Sequence, residues 1–100
     1  MKKTFKEVTG TSFHDSVINC SVSTLKKVLG EPDCDINDGE DKVNFEWDME
    51  TSNGDVFTVY DWKEYRSLNE NEMIEWHIGG MSKAITEQAK REIREAIAKS

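Results

Sequence analysis

This chain of 100 residues has little of what usually announces an activity. Its two cysteines are too few for a disulfide framework, so Cys20 and Cys34 read as reduced thiols of a cytosolic protein. Its two histidines, His14 and His77, have no partner at metal-ligand spacing, so no zinc site and no cofactor is expected. No apolar run approaches the roughly 20 residues of a membrane span. The basic tip Met1-Lys-Lys is followed by no apolar stretch of about 7–15 residues, so a signal peptide is not expected. Repeats and low-complexity segments are absent too. One domain over residues 1–100 is the expectation, with residues 1–9 a loosely held end or short edge strand.

What the chain does have is acid, unevenly placed. The net charge is −7, yet residues 1–30 sum to +3, residues 31–75 to −12 and residues 76–100 to +2. An acidic middle repels free nucleic acid and attracts basic surfaces, so no direct nucleic-acid binding is expected. The plainer reading is solubility, with the basic ends neutralising the middle.

Apolar periodicity supplies the fold class. Val43 to Thr51 alternates apolar and polar residues as a half-buried strand does, and Val56 to Trp62 follows as its hairpin partner. Asn53-Gly54 between them predicts a type I′ hairpin turn with φ > 0 at both positions. That register opposes Phe45 to Trp62, Trp47 to Tyr60, Met49 to Thr58 and Thr51 to Val56. Five large apolar side chains then share one face. The other face would carry Glu46, Asp48, Glu50, Val59 and Asp61, with Glu46 directly across from Asp61. Further strands are expected at 16–20 and 73–78, the latter ending in a Gly79-Gly80 corner. A short helix starts at Ser21 and stops at Gly30-Glu-Pro32. A long one starts at Ser82 and runs to about Lys99, with Ile85, Ala89, Ile93, Ala96 and Ile97 as its apolar stripe. The expected fold is α+β: an antiparallel sheet of about four strands carrying both helices.

Taken together, Gly10-Thr-Ser-Phe13, Leu29-Gly-Glu-Pro32, Phe45-Glu-Trp47, Asn53-Gly54, Tyr60-Asp-Trp-Lys63 and Trp76-His-Ile-Gly-Gly80 resemble a family of short bacteriophage-encoded proteins. The resemblance runs from about residue 10 to residue 98. It implies a phage accessory protein acting in the host bacterial cytoplasm, and it brings no catalytic residues. Small acidic phage proteins are often counter-defence factors.

Several constellations are candidates for chemistry. Asp33-x-Asp35-x-Asn37 begins like an EF-hand loop, but its glycine is one position late and Asn44 stands where the bidentate Glu belongs. No metal requirement is therefore expected. His14-Asp15-Ser16 holds triad residue types without triad geometry, since neighbours on a strand point apart. A structural histidine bonded to a carboxylate is the expectation for His77. Glu46 facing Asp61 would be costly alone, so a cation should sit there: Lys63, Arg66, a basic residue of the last helix, a metal, or a partner. The leading expectation is a non-enzymatic inhibitor of a host protein, docking a basic surface through Asp33, Asp35, Asp38, Glu40, Asp41, Glu46, Asp48 and Asp61. The alternative is a sponge for a small nucleotide signal. There Trp62 or Tyr65 would stack the base, His77 would contact the ligand near the Gly79-Gly80 corner, and Lys90, Arg91 and Arg94 would hold phosphate, across a homo-oligomer interface.

Overall fold

A computed structural model describes residues 1–100 as six strands and two helices. They run β1 (Lys2–Lys3), β2 (Ser12–Cys20), α1 (Val22–Leu29), β3 (Cys34–Asp35), β4 (Phe45–Glu50), β5 (Val56–Tyr60), β6 (Ile74–Gly80) and α2 (Lys83–Lys99). All pairings are antiparallel, in the order β1-β4-β5-β6-β2, with β3 also on β4. The α+β class and the two helices agree with the sequence reading. The strand count does not, because β1 and β3 dock on the two ends of β4's outer edge. Strands of two residues carry no periodicity that a sequence could display.

The hairpin register is one residue away from the expected one. Thr51 accepts from the Gly54 N–H at 2.9 Å and donates its own N–H to Asp55 at 2.8 Å, so the loop holds Ser52, Asn53 and Gly54. Gly54 has φ +84°, while Asn53 stays out of the left-handed region. This is the three-residue loop that ends in a glycine bulge, not a two-residue type I′ turn. The extra residue pairs Trp47 with Val59, Asp48 with Thr58 and Glu46 with Tyr60. Every β5 side chain therefore changes face relative to expectation, as a slip of one must do.

The face that turns inward is aromatic and dry. Phe45, Trp47, Met49, Phe57, Val59, Trp76 and Ile78 are buried beneath Leu25 of α1 and Ala89 and Ile93 of α2. The Trp47 and Trp76 rings meet edge to face with centroids 5.5 Å apart, a preferred aromatic geometry. Each indole N–H is satisfied at 2.8 Å, Trp47 by the Gly30 carbonyl and Trp76 by the Cys20 carbonyl. Ser21 and Ser82 cap the helices, accepting from the Thr24 and Ile85 N–H groups. β6 continues through Gly79 and Gly80, so the corner falls at Met81-Ser82 rather than at the glycines.

The N-terminal end takes the edge-strand form of the two expected for it. The Met1 ammonium pairs with Glu92, β1 pairs with β4, and the Thr4 hydroxyl donates to the buried Glu50 carboxylate. Both cysteines are free thiols, and burial pushes Cys20 up to about 11. No helix is long and apolar enough to cross a membrane.

Candidate functional site

With the helices on one face, the opposite face of the sheet carries no helix, only the N-terminal segment along part of it, where Thr4 bonds Glu50 and Lys6 the Gly54 carbonyl, and it holds the unusual chemistry. Register sets one row straight across five strands: Cys34 of β3, Glu46 of β4, Tyr60 of β5, His77 of β6 and Val17 of β2. The next row holds Asp48, Thr58, Gly79 and Phe13. Gly79 keeps this row open, because a Cβ there would lie 2.5 Å from the Thr58 hydroxyl.

An aromatic cluster spans the two rows. Phe13 stacks on His77 with centroids 4.1 Å apart. Tyr60 meets His77 edge-on at 5.6 Å, and Trp62 lies near both. Trp62 is 41 % exposed and sits between the ammonium groups of Lys42 and Lys63, each within 6 Å of its ring. Together with Val8, Thr11 and Val43, residues Glu46, Thr58, Tyr60 and Trp62 line a groove of about 250 Å³.

Glu46 and Asp48 form the electrostatic centre of this face. Neither lies within ion-pair distance of any cation of the chain. Burial, a carboxyl-carboxylate contact with Asp48, and the charges of Asp48 and Asp33 together push Glu46 up to about 7. Asp48 keeps one buried carboxylate oxygen, Oδ1, with no hydrogen-bond partner. Desolvation, together with the Glu46 charge, raises Tyr60, while burial lowers His77 against the opposing pull of Glu75. No carboxylate bonds the His77 ring, contrary to expectation; aromatic neighbours hold it instead.

The other expected acids divide into three kinds. Asp61 is buried and belongs to the core side of the sheet. Its Oδ1 accepts from the Asn44 and Phe45 N–H groups at 2.9 and 2.8 Å, and its Oδ2 from the Asn44 amide at 3.0 Å. It therefore does not oppose Glu46 and is unavailable to a partner. Asp33 is neutralised by Lys3 and accepts from the Asp48 N–H at 2.7 Å. Asp35, Asp38, Glu40 and Asp41 are exposed and make no ion pair. Their loop is tied down: Asn37 bonds both the N–H and the carbonyl of Leu68, and Asn44 accepts from the Gly39 N–H. Arg66 forks onto Glu72 and Lys63 onto Trp62, so neither neutralises Glu46.

No three His, Cys, Asp or Glu side chains converge on a point where they could hold a metal ion. The EF-hand-like residues are dispersed, with Asp33 on Lys3, Asp35 in β3 and Asn37 on Leu68. Likewise the Ser16 hydroxyl serves Thr86 and Glu87, while the His14 ring bonds the Gly80 carbonyl and Ser12.

The six residues of the nucleotide reading are only partly brought together. Trp62 and His77 share the open face, but Tyr65 is 54 % exposed and joins no aromatic pair. Lys90, Arg91 and Arg94 stand on α2, on the helix side of the sheet, and make no ion pair even with the helix's own acids. Glu87 is taken by Ser16, and Glu92 by the N-terminus and Ser52. Sequence reasoning missed Tyr60, Phe13, Thr58 and Cys34 as members of the open face. The length of the hairpin loop was the missing signal for Tyr60 and Thr58. No family model and no curated protein matches the chain.

Proposed function

We propose that this chain is a non-enzymatic binding protein that docks a basic surface of a host protein onto its acidic open face and the neighbouring 35–41 loop. One observation carries the reading: Glu46 lies half-buried in a groove lined by Tyr60 and Trp62, with half-buried Asp48 beside it, and neither has a cation of its own. A carboxylate that resists ionisation, beside another whose oxygen lacks a partner, costs stability in isolation. An incoming Lys or Arg side chain would relieve both, with Tyr60 offering its ring to the same cation. Asp35, Asp38, Glu40 and Asp41 would contribute long-range attraction, which acts mainly on the association rate. The resemblance to short phage proteins makes the target a bacterial host protein in the cytoplasm, and the action counter-defence inhibition.

The test is capture from bacterial host lysate by wild type beside an E46Q/D48N variant and a D38N/E40Q/D41N variant. Wild type should retain a basic protein that is lost by the first variant and weakened by the second and by salt. Equal capture by all three would overturn the reading. The second reading, a small nucleotide held at a homo-oligomer interface, is favoured by the Trp62 and His77 rings and by the unpaired Lys90, Arg91 and Arg94. Rings and cations lie on opposite faces of one sheet, so only a second copy could unite them.

A further inference from the structure

We infer that the free edge of β2 is a docking site for an extended, acidic peptide strand, separate from the acidic open face. β2 ends the sheet: it pairs with β6 on one side and with nothing on the other. The stretch from Val17 to Cys20 lies past the irregularity at Asp15 and keeps regular register with β6. Alternate residues of such an edge present unpaired N–H and C=O groups, a template for one more strand. No charge, proline or bulge guards this stretch, unlike the preceding one, where Asp15 has φ +67°.

Beside that edge runs a groove of about 410 Å³, with Val17, Ile18 and Asn19 on the strand side and Lys90, Arg94 and Ile97 on α2. Val17, Ile18, Ile97 and Ala98 give it apolar wall, and its charges are all positive. Lys90 and Arg94 are one helical turn apart, about 6 Å along the axis. Alternate side chains of an added strand are about 6.6 Å apart and point to one face. A peptide with acidic residues at alternate positions thus places two carboxylates against the two cations, while its backbone continues the sheet. Main-chain pairing supplies affinity and the acidic pair supplies selectivity. The occupant is a segment of another protein: a second copy would offer Ser16 to Cys20, which has no acid to meet Lys90 and Arg94.

The probe is an acetylated, amidated heptapeptide with Glu at alternate positions separated by Val and Thr. Three comparison peptides carry Lys for Glu, Gln for Glu, or alternate N-methylated amides. The Glu peptide should bind saturably and slow amide exchange at residues 17–20. Affinity should drop at least about tenfold for the Lys peptide and for the N-methylated one. The K90E/R94E protein should reverse the preference, binding the Lys peptide over the Glu peptide. If that variant proves unfolded by circular dichroism, K90Q/R94Q should bind Glu and Gln peptides equally. Equal binding of Glu and Lys peptides by wild type, or absence of any saturable binding, would overturn the proposal. So would full affinity for the N-methylated peptide, which reports a simple anion site. Sedimentation showing copies already paired through β2 would overturn it as well.

Discussion

The two faces of the sheet are built from the same strands and obey opposite rules. On the helix side, polar atoms are satisfied: both buried indoles have carbonyl partners, and Asp61 collects three N–H groups. On the open side, Glu46 has no cation, Asp48 Oδ1 has no donor, and Trp62 stands in solvent. Burial alone does not separate them, since Thr58 and Glu50 on the open side are also buried. What separates them is whether a buried charge has found its partners within the chain. The functional proposal is that this half-buried, unsatisfied face receives a partner's cation.

The contrast can be attacked from its strong side first. Trp47→Ala should cost about 3–5 kcal/mol by denaturant unfolding, because a fully buried ring leaves a cavity beneath two helices. A loss below about 1 kcal/mol would mean the helix face is loosely packed and the distinction false. Asp61→Asn should cost about 2–3 kcal/mol, since charge-assisted bonds are lost and an amide N–H₂ must face donors. Partner binding should be unchanged apart from the folded fraction. Intact stability with lost binding would return Asp61 to the interaction surface.

Gly54→Val should cost about 1–2 kcal/mol, because a β-branched residue is forced into φ > 0. Asn53→Ala should cost far less, since the three-residue loop needs no positive φ there. Similar losses at both positions would restore the two-residue turn and the other register.

The smallest effect is the most diagnostic. The folded state holds the Glu46 proton up to about pH 7, above the ordinary carboxyl value. The sign follows: folding binds a proton between pH 4.5 and 7, so wild-type stability is full below about 4.5 and falls as pH rises through 7. Glu46→Gln should remove that slope, leaving stability unchanged near pH 4 and raising it by about 1 kcal/mol at pH 8, after discount for partial exposure. In a domain this size that is about 4–8 °C of melting temperature. The same variant should bind partner more weakly. A loss of stability at pH 8 would mean the carboxylate has a cation after all, and the two faces would no longer differ in kind.

Much of the fold was legible because its signals are local. The caps at Ser21 and Ser82, the stop at Gly30 and Pro32, and the stripe Ala89 and Ile93 each depend on residues within one or two turns. The alternation of Phe45, Trp47 and Met49 named the buried face of β4 correctly, even though its partners were wrong. The acidic open face was legible as composition, through Glu46 and Asp48, but its aromatic half was not. Tyr60 and Trp62 were expected in the core, and Phe13 reaches His77 only because β2 returns to β6 from the far end of the chain.

The sequence by itself thus determined the two helices, the four longer strands, the α+β class and the dry side of β4, since periodicity and capping act over a few bonds. The tertiary structure alone decided the register of β5, the docking of β1 and β3, and which carboxylates find partners. Two- and three-residue hairpin loops around Asn-Gly differ by small local energies. The choice between them is made by distant demands: Val59 filling the space over Trp47, and the Asn44 and Phe45 N–H groups requiring the Asp61 carboxylate. Those demands exist only once the chain is packed, and they sent Asp61 inward while leaving Glu46 and Asp48 without a cation.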